Sequence, residues 1–170
     1  MKKIVSFLIV TFCMLALLSV GASAVTLKAG QSIDAGTVTV SYDDGVLCVT
    51  YETEDDWKLV ETHFAIATSP GDIPQTNKGN PKVGHFPYGD DELGEYDAED
   101  NLIGGADSYE ECIPLSLSPG IFIIAAQAKL VNTEEIDDEG NLVTESGWGE
   151  GDEFANDRNW AMYFTFTLPE

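Results

Sequence analysis

Glu61 and His63 stand two residues apart in the segment WKLVETHFAIAT, residues 57–68. In an extended chain, side chains two apart project from the same face. A carboxylate beside an imidazole can hold the ring in place, which is the start of a base–orienter pair. A nucleophile in a recognisable setting is missing: the chain holds no GxSxG and no cysteine next to the pair. An ordinary strand histidine is the plainer account of His63, and His85, just before Phe86-Pro87-Tyr88, reads the same way. No catalytic residue is therefore assigned, and a small hydrolase using Glu61 and His63 stands as the alternative.

Acidic side chains offer a second chemistry. They gather in Asp90-Asp91-Glu92, in Asp97, Glu99, Asp100 and Asn101, in Glu134, Glu135, Asp137, Asp138 and Glu139, and in Asp152, Glu153, Asn156 and Asp157. Calcium is a hard cation that takes six to eight oxygens from carboxylates, amides and carbonyls. None of the clusters has EF-hand spacing. Solvated acidic loops explain them equally well. If calcium is a cofactor, the ligands expected are Asp97, Glu99, Asp100 and Asn101, where carboxylates and an amide crowd one loop. Tyr88, Tyr96 and the glycine-flanked Trp148 are the expected ligand-binding aromatics, as rings on which a sugar could stack. Glycosidase chemistry needs two carboxylates at a set separation, a condition that some pair among 30 acids meets by chance.

The elements that must position these residues read as strands. Residues 37–42 (TVTVSY) alternate with period two and are rich in β-branched side chains. Asp43-Asp44-Gly45 supplies a tight hairpin turn, and residues 46–52 return. Residues 57–68 form the next strand, whose faces divide as Trp57, Leu59, Glu61 and His63 against Lys58, Val60, Thr62, Phe64 and Ile66 if no bulge intervenes. Residues 69–82 are punctuated by prolines and form an irregular crossing, with a helical turn expected near Asp72–Gln75. A short edge strand is expected over 83–88 and an acidic insertion over 90–107. Residues 121–131 are the most apolar run, and residues 160–168 close the domain by alternation. The expected fold is an all-β antiparallel sandwich of about eight strands, immunoglobulin/fibronectin-III-like or jelly-roll-like.

Residues 1–24 read as a secretory signal peptide: Lys2 and Lys3, an apolar core from Ile4 to Val20, then the small-x-small Ala22-Ser23-Ala24. No membrane span is expected after its removal. Residues 25–170 then form one acidic domain, secreted or held at the cell surface. The net charge of −22 becomes −24 without the two leader lysines, with six basic against 30 acidic side chains. Such a surface repels nucleic acid and anionic lipid, and it suits cations, basic partners or a high-salt medium. Cys48 and Cys112 remain in that domain and can pair as a disulfide in an oxidising compartment, or stay as buried thiols. No CxxC or Cys/His cluster supports zinc, haem or iron–sulfur sites.

Several blocks in order, Glu61-Thr62-His63, residues 72–76 (DIPQT), Gly79-Asn80-Pro81, Phe86-Pro87-Tyr88, residues 146–149 (SGWG) and residues 159–164 (NWAMYF), resemble a functionally uncharacterised β-sandwich module of secreted and surface proteins of bacteria and archaea. The resemblance covers nearly all of the chain after residue 24. It implies export and a β architecture, and it transfers no catalytic residue. The sequence thus points to a secreted acidic binding or structural module rather than an enzyme. Its expected partners are an extracellular glycan, cell-wall material or a surface protein, met through sandwich-end loops that calcium could organise.

Overall fold

The computed structural model describes residues 21–154 and 159–170. Residues 1–20 of the expected signal peptide and the cluster members Asn156 and Asp157 lie outside the described residues. Twelve strands follow in order: β1 Ala22–Ala29, β2 Ile33–Asp43, β3 Val46–Thr53, β4 Trp57–Ala67, β5 Tyr88–Asp90, β6 Gly94–Tyr96, β7 Leu102–Gly105, β8 Ser108–Pro114, β9 Gly120–Ile136, β10 Leu142–Gly149, β11 Asp152–Glu153 and β12 Met162–Leu168. Single 3-10 turns stand at Pro70–Asp72 and Val83–His85. Among the described residues no helix is long and apolar enough to cross a membrane.

The all-β antiparallel expectation holds, but the strands do not divide between two facing sheets. Ten of them form one sheet in the order β11-β12-β9-β10-β1-β2-β3-β8, with β4 beside β9 and β5 beside β4. The far edge returns to β4: Leu59 N–H donates to Ala106 C=O at 2.8 Å and Ala106 N–H to Leu59 C=O at 3.0 Å, just ahead of β8. The result is a nearly closed, barrel-like sheet. Alternation within a strand reads the same for a sandwich face and a barrel interior, and only this long-range closure separates them. Twelve strands replace the expected eight or so because β5, β6, β7 and β11 are two to four residues long. The acidic insertion itself folds as the β6–β7 hairpin. The expected edge strand over 83–88 is instead a 3-10 turn, with β5 starting at Tyr88.

Leu27, Val38, Val40, Leu47, Val49, Tyr51, Leu59, Phe64, Ile124 and Leu130 are among the side chains filling the barrel interior. The Asp43-Asp44-Gly45 turn forms as expected, Asp44 and Gly45 both taking positive φ (43° and 80°), as a two-residue hairpin requires. Strand β1 begins at Ala22, so Ala22, Ser23 and Ala24 pair with Ser41, Val40 and Thr39 of β2. Cys48 and Cys112 sit opposite each other on β3 and β8 and are joined by a disulfide. It bridges a sequence separation of 64 residues. Closing a loop of that length stabilises a fold by about 4 kcal/mol through the unfolded chain.

Strand β4 departs from simple alternation. Its register against β9 shifts between Leu59 and Glu61, a bulge at Val60. Trp57 and Leu59 face the interior, and beyond the bulge Thr62 and Phe64 do so, so Glu61 and His63 turn outward. The unbulged reading had put Glu61 and His63 on the face of Trp57 and Leu59.

Outside the sheet lies a second apolar cluster. Ile73 and Phe86 from the crossing between β4 and β5 pack with Ala65, Ile123, Ala125, Trp148 and Ala161. The crossing is therefore a cover: it buries the outer face of β4, β9 and β10 at one end and leaves the rest open. Gln75 fixes it internally by donating through Nε2 to Pro70 C=O at 2.7 Å, and Asn159 ties it to the last strand by donating to Asn80 Oδ1 at 2.7 Å.

Candidate functional site

The open part of that outer face is a cleft of about 830 Å³. Its floor follows from strand register. One row across the sheet aligns His63 on β4, Gln127 on β9 and Trp148 on β10; the next aligns Glu61, Lys129 and Ser146. The rows toward residues 65 and 125 are alanines under the apolar cover. The change from apolar to polar rows marks where the cover stops and the cleft begins. Phe86, Pro87 and Tyr88 form a wall.

His63 is the centre of the polar group. Its side chain is only 15% exposed, with Nε2 3.2 Å from Asp91 Oδ1 and 3.9 Å from Glu61 Oε2. The second Glu61 oxygen accepts from Lys129 Nζ at 3.1 Å. Both carboxylates thus address the same imidazole nitrogen, while lysine occupies Glu61 from the other side. The backbone of the site is held from within the barrel: the fully buried Tyr51 donates its hydroxyl to His63 C=O at 3.0 Å. Burial pushes the Tyr51 hydroxyl well above the usual tyrosine range, with smaller contributions from Glu111 and Tyr109.

Asp91 reaches His63 because β5 lies unusually close to β4. Gly89 pairs with His63. Its φ is +141°, and a Cβ there would stand 1.9 Å from Thr62 O, so only glycine fits. One residue on, Asp90 Oδ1 accepts from Glu92 N–H at 2.8 Å, closing the turn that carries Asp91. Phe64 stacks on Tyr88 at 4.9 Å between ring centroids and seats β5 from its core side.

The sequence-derived candidates divide sharply. Glu61 and His63 converge on this cleft, Tyr88 borders it with its ring stacked on the core residue Phe64, and Asp91 joins them as a member that sequence reasoning had placed only among acidic loops. Gln127 and Lys129 were also missed. They are the two polar residues in the apolar run 121–131 and stand two apart, a pattern that does signal one polar patch on one face. Trp148 is not the exposed platform expected from its flanking glycines. It is 5% exposed and packs edge-on against Phe86 and Phe154. Gly147 and Gly149 serve neighbouring close contacts: a Cβ on them would stand 2.8 Å from Leu130 Cδ1 and Phe164 Cε1, respectively.

Asp97, Glu99, Asp100 and Asn101 form the turn between β6 and β7. Asp97 Oδ1 accepts from Glu99 N–H at 3.0 Å and Asn101 N–H at 2.8 Å, and the Asn101 amide donates to both Asp97 oxygens. These bonds hold the Asp97 carboxyl below its usual range, the Asn101 side chain contributing most. The turn between β9 and β10 repeats the arrangement: Asp137 Oδ1 accepts from Glu139 and Asn141 N–H, and its carboxyl is likewise lowered, chiefly by the Asn141 backbone N–H. Tyr96, 51% exposed, stands beside the first turn, and the two turns border a second depression of about 890 Å³. Among the described residues, Glu61, His63 and Asp91 are the group of His and carboxylate ligands whose donor atoms come within 4.8 Å of one another.

Comparison with family models, with curated proteins and with solved structures gave no match for this chain.

Proposed function

We propose that the protein is a secreted, acidic recognition module that takes an extracellular glycan or cell-wall polymer into the cleft floored by β4, β9 and β10. The convergence of Glu61, His63, Asp91 and Lys129 beside the Tyr88 wall carries this reading. The cleft falls in the size range of small-ligand sites. It offers acceptors in Glu61 and Asp91 and donors in Lys129, Ser146 and Thr144, a mixture suited to the hydroxyl groups of a neutral or amino sugar. The surrounding net charge of −22 disfavours polyanions. The Cys48–Cys112 disulfide supports an oxidising compartment, in keeping with the leader-like residues 1–24. Recognition is proposed on strand faces rather than in the acidic loops, where the Asp97 carboxylate is already engaged by its own turn.

Retention on insoluble cell-wall polysaccharide, compared with that of Lys129→Ala and Asp97→Ala, tests the reading. Retention by the parent and by Asp97→Ala, with loss in Lys129→Ala, is expected; a parent that washes off like an inert acidic protein overturns it. The second reading is a small hydrolase, favoured by the contact of His63 with two carboxylates. An ester and glycan panel decides it: an active parent that keeps its rate as His63→Ala removes Glu61–His63 chemistry.

A further inference from the structure

We infer that Glu61, His63 and Asp91 form a binding site for a divalent transition ion of the zinc class. The donor set is one imidazole nitrogen and two carboxylate oxygens, His63 Nε2, Glu61 Oε2 and Asp91 Oδ1. One ligand atom from each of the three residues lies within 4.8 Å of the others, and His63 Nε2 stands 3.2 Å from Asp91 Oδ1 and 3.9 Å from Glu61 Oε2. Bonds of about 2.0–2.2 Å to a tetrahedral ion place ligand atoms about 3.4 Å apart. The two separations from His63 bracket that value, and the third, between the two carboxylates and no more than 4.8 Å, closes by movement of the exposed Asp91 side chain.

The type of donor selects the type of ion. Imidazole nitrogen suits zinc, copper, iron and nickel, whereas calcium takes six to eight oxygens and no nitrogen. Three protein ligands leave a fourth position, which in zinc sites goes to water or to a ligand atom. The three side chains line the cleft together with Lys129 and Ser146, so a ligand atom taking that position would come from within it. Two carboxylates and a neutral imidazole balance a 2+ ion. Lys129 does not compete for the ion's ligands, because it holds Glu61 through Oε1 and leaves Oε2 for the metal. It is a positioning residue.

The site is also built on rigid parts. His63 and Glu61 stand on a strand paired on both sides, with β9 and β5. The buried Tyr51 hydroxyl fixes the His63 carbonyl. Asp91 has a side chain 75% exposed and supplies the freedom to close on an ion. Binding a metal here uses the same cleft as the recognition reading but does not depend on it, since the ion needs only the three side chains.

The chain has two histidines, and this makes the test direct. The protein, stripped with chelator and labelled with 15N, is titrated with zinc chloride while the imidazole nitrogens are followed by NMR and the heat by calorimetry. One saturable equivalent is expected to move His63 Nε2 and leave His85 in place. In calorimetry His63→Ala should weaken that equivalent by at least about 100-fold, the upper end of what is lost when only a metal ligand's hydrogen-bond partner is removed. Asp91→Asn should weaken it too, and Asp97→Asn should not. Calcium in millimolar excess should leave the His63 signal bound. The inference is overturned if zinc moves both histidines alike, if it binds only diffusely without moving His63, or if His63→Ala binds it as tightly as the parent. The parent's NMR titration decides the matter even where a variant folds poorly. Zinc binding with no retention on cell wall would remove the recognition reading alone, and retention without zinc binding would remove this one alone.

Discussion

The cleft around His63 and the turn at Asp97 are both rich in carboxylates, yet they use them in opposite ways. At the turn, Asp97 spends its oxygens on the N–H groups of Glu99 and Asn101, two and four residues away. Every partner is local, and the acid's task is to shape a hairpin end. In the cleft, Glu61 on β4, Asp91 in the turn after β5 and Lys129 on β9 meet although 30 to 68 residues of chain separate them. Those groups face each other because strand register delivers them there, and they are not consumed by backbone. Density of acids along the chain is therefore a poor guide to a site. Acids that long-range pairing brings to a histidine are a better one.

Glycine substitution should break this contrast most visibly. Gly89→Ala places a Cβ 1.9 Å from Thr62 O at a positive φ, so β5 must leave β4 and carry Asp91 away. A loss of at least about 2 kcal/mol is expected, larger than an ordinary positive-φ penalty, together with loss of any metal equivalent. Gly140→Ala, in the turn of Asp137, also sits at positive φ but meets nothing within 4 Å, and should cost only about 1 kcal/mol. Equal losses in urea melts would show that the cleft is no more constrained than a turn.

A smaller effect is expected beneath the cleft. Tyr51→Phe removes the hydroxyl that holds His63 C=O and should cost about 1 kcal/mol near neutral pH. The folded-state pKa of Tyr51 is raised above the unfolded value of 10.0. Its contribution is thus fully present below pH 10 and lost as pH rises toward the folded value. The parent should lose stability above pH 10, and Tyr51→Phe should lose less over that range. Parallel alkaline melts of the two would contradict the burial of the hydroxyl.

The smallest effect belongs to the turns. The Asp97 and Asp137 carboxyls are lowered from 3.8, so what they add is present above pH 3.8 and lost as pH falls through their folded values. Both are exposed, and the consequence is local. Amide protection factors at Asn101 and Asn141, referred to the intrinsic rate at each pH, should fall on acidification while that at His63 stays high. Protection that persists at the two asparagines would mean that the hairpins do not depend on their aspartates.

Much of the fold could be read from the chain, because hairpin turns and alternation are local signals. Asp43-Asp44-Gly45 between two β-branched runs gave the β2–β3 hairpin, and the continuous run after Gly120 gave the strand on which the others converge. The site was legible only in part. That Glu61 and His63 share a face follows from spacing of two. Which face they share does not, because the bulge at Val60 reverses it, and no residue type announces a bulge there. Asp91 was hidden for a different reason: it reaches His63 across the long crossing 68–87, and the pairing depends on one glycine fitting against one carbonyl. Trp148 misled because flanking glycines suit an exposed loop and a tight packing contact equally.

The cross-strand disulfide has a topological consequence for the barrel. Strand β8 ends the hydrogen-bonded path, and beyond it the ring is completed by the single Leu59–Ala106 bridge. An end strand of that kind is the natural one to peel away and pair with a second molecule. Cys48 and Cys112 stand opposite each other in the β3–β8 ladder, so β8 cannot slide, detach or be donated without breaking a covalent bond. The disulfide thus keeps the β3–β8 pairing of a nearly closed barrel within one chain.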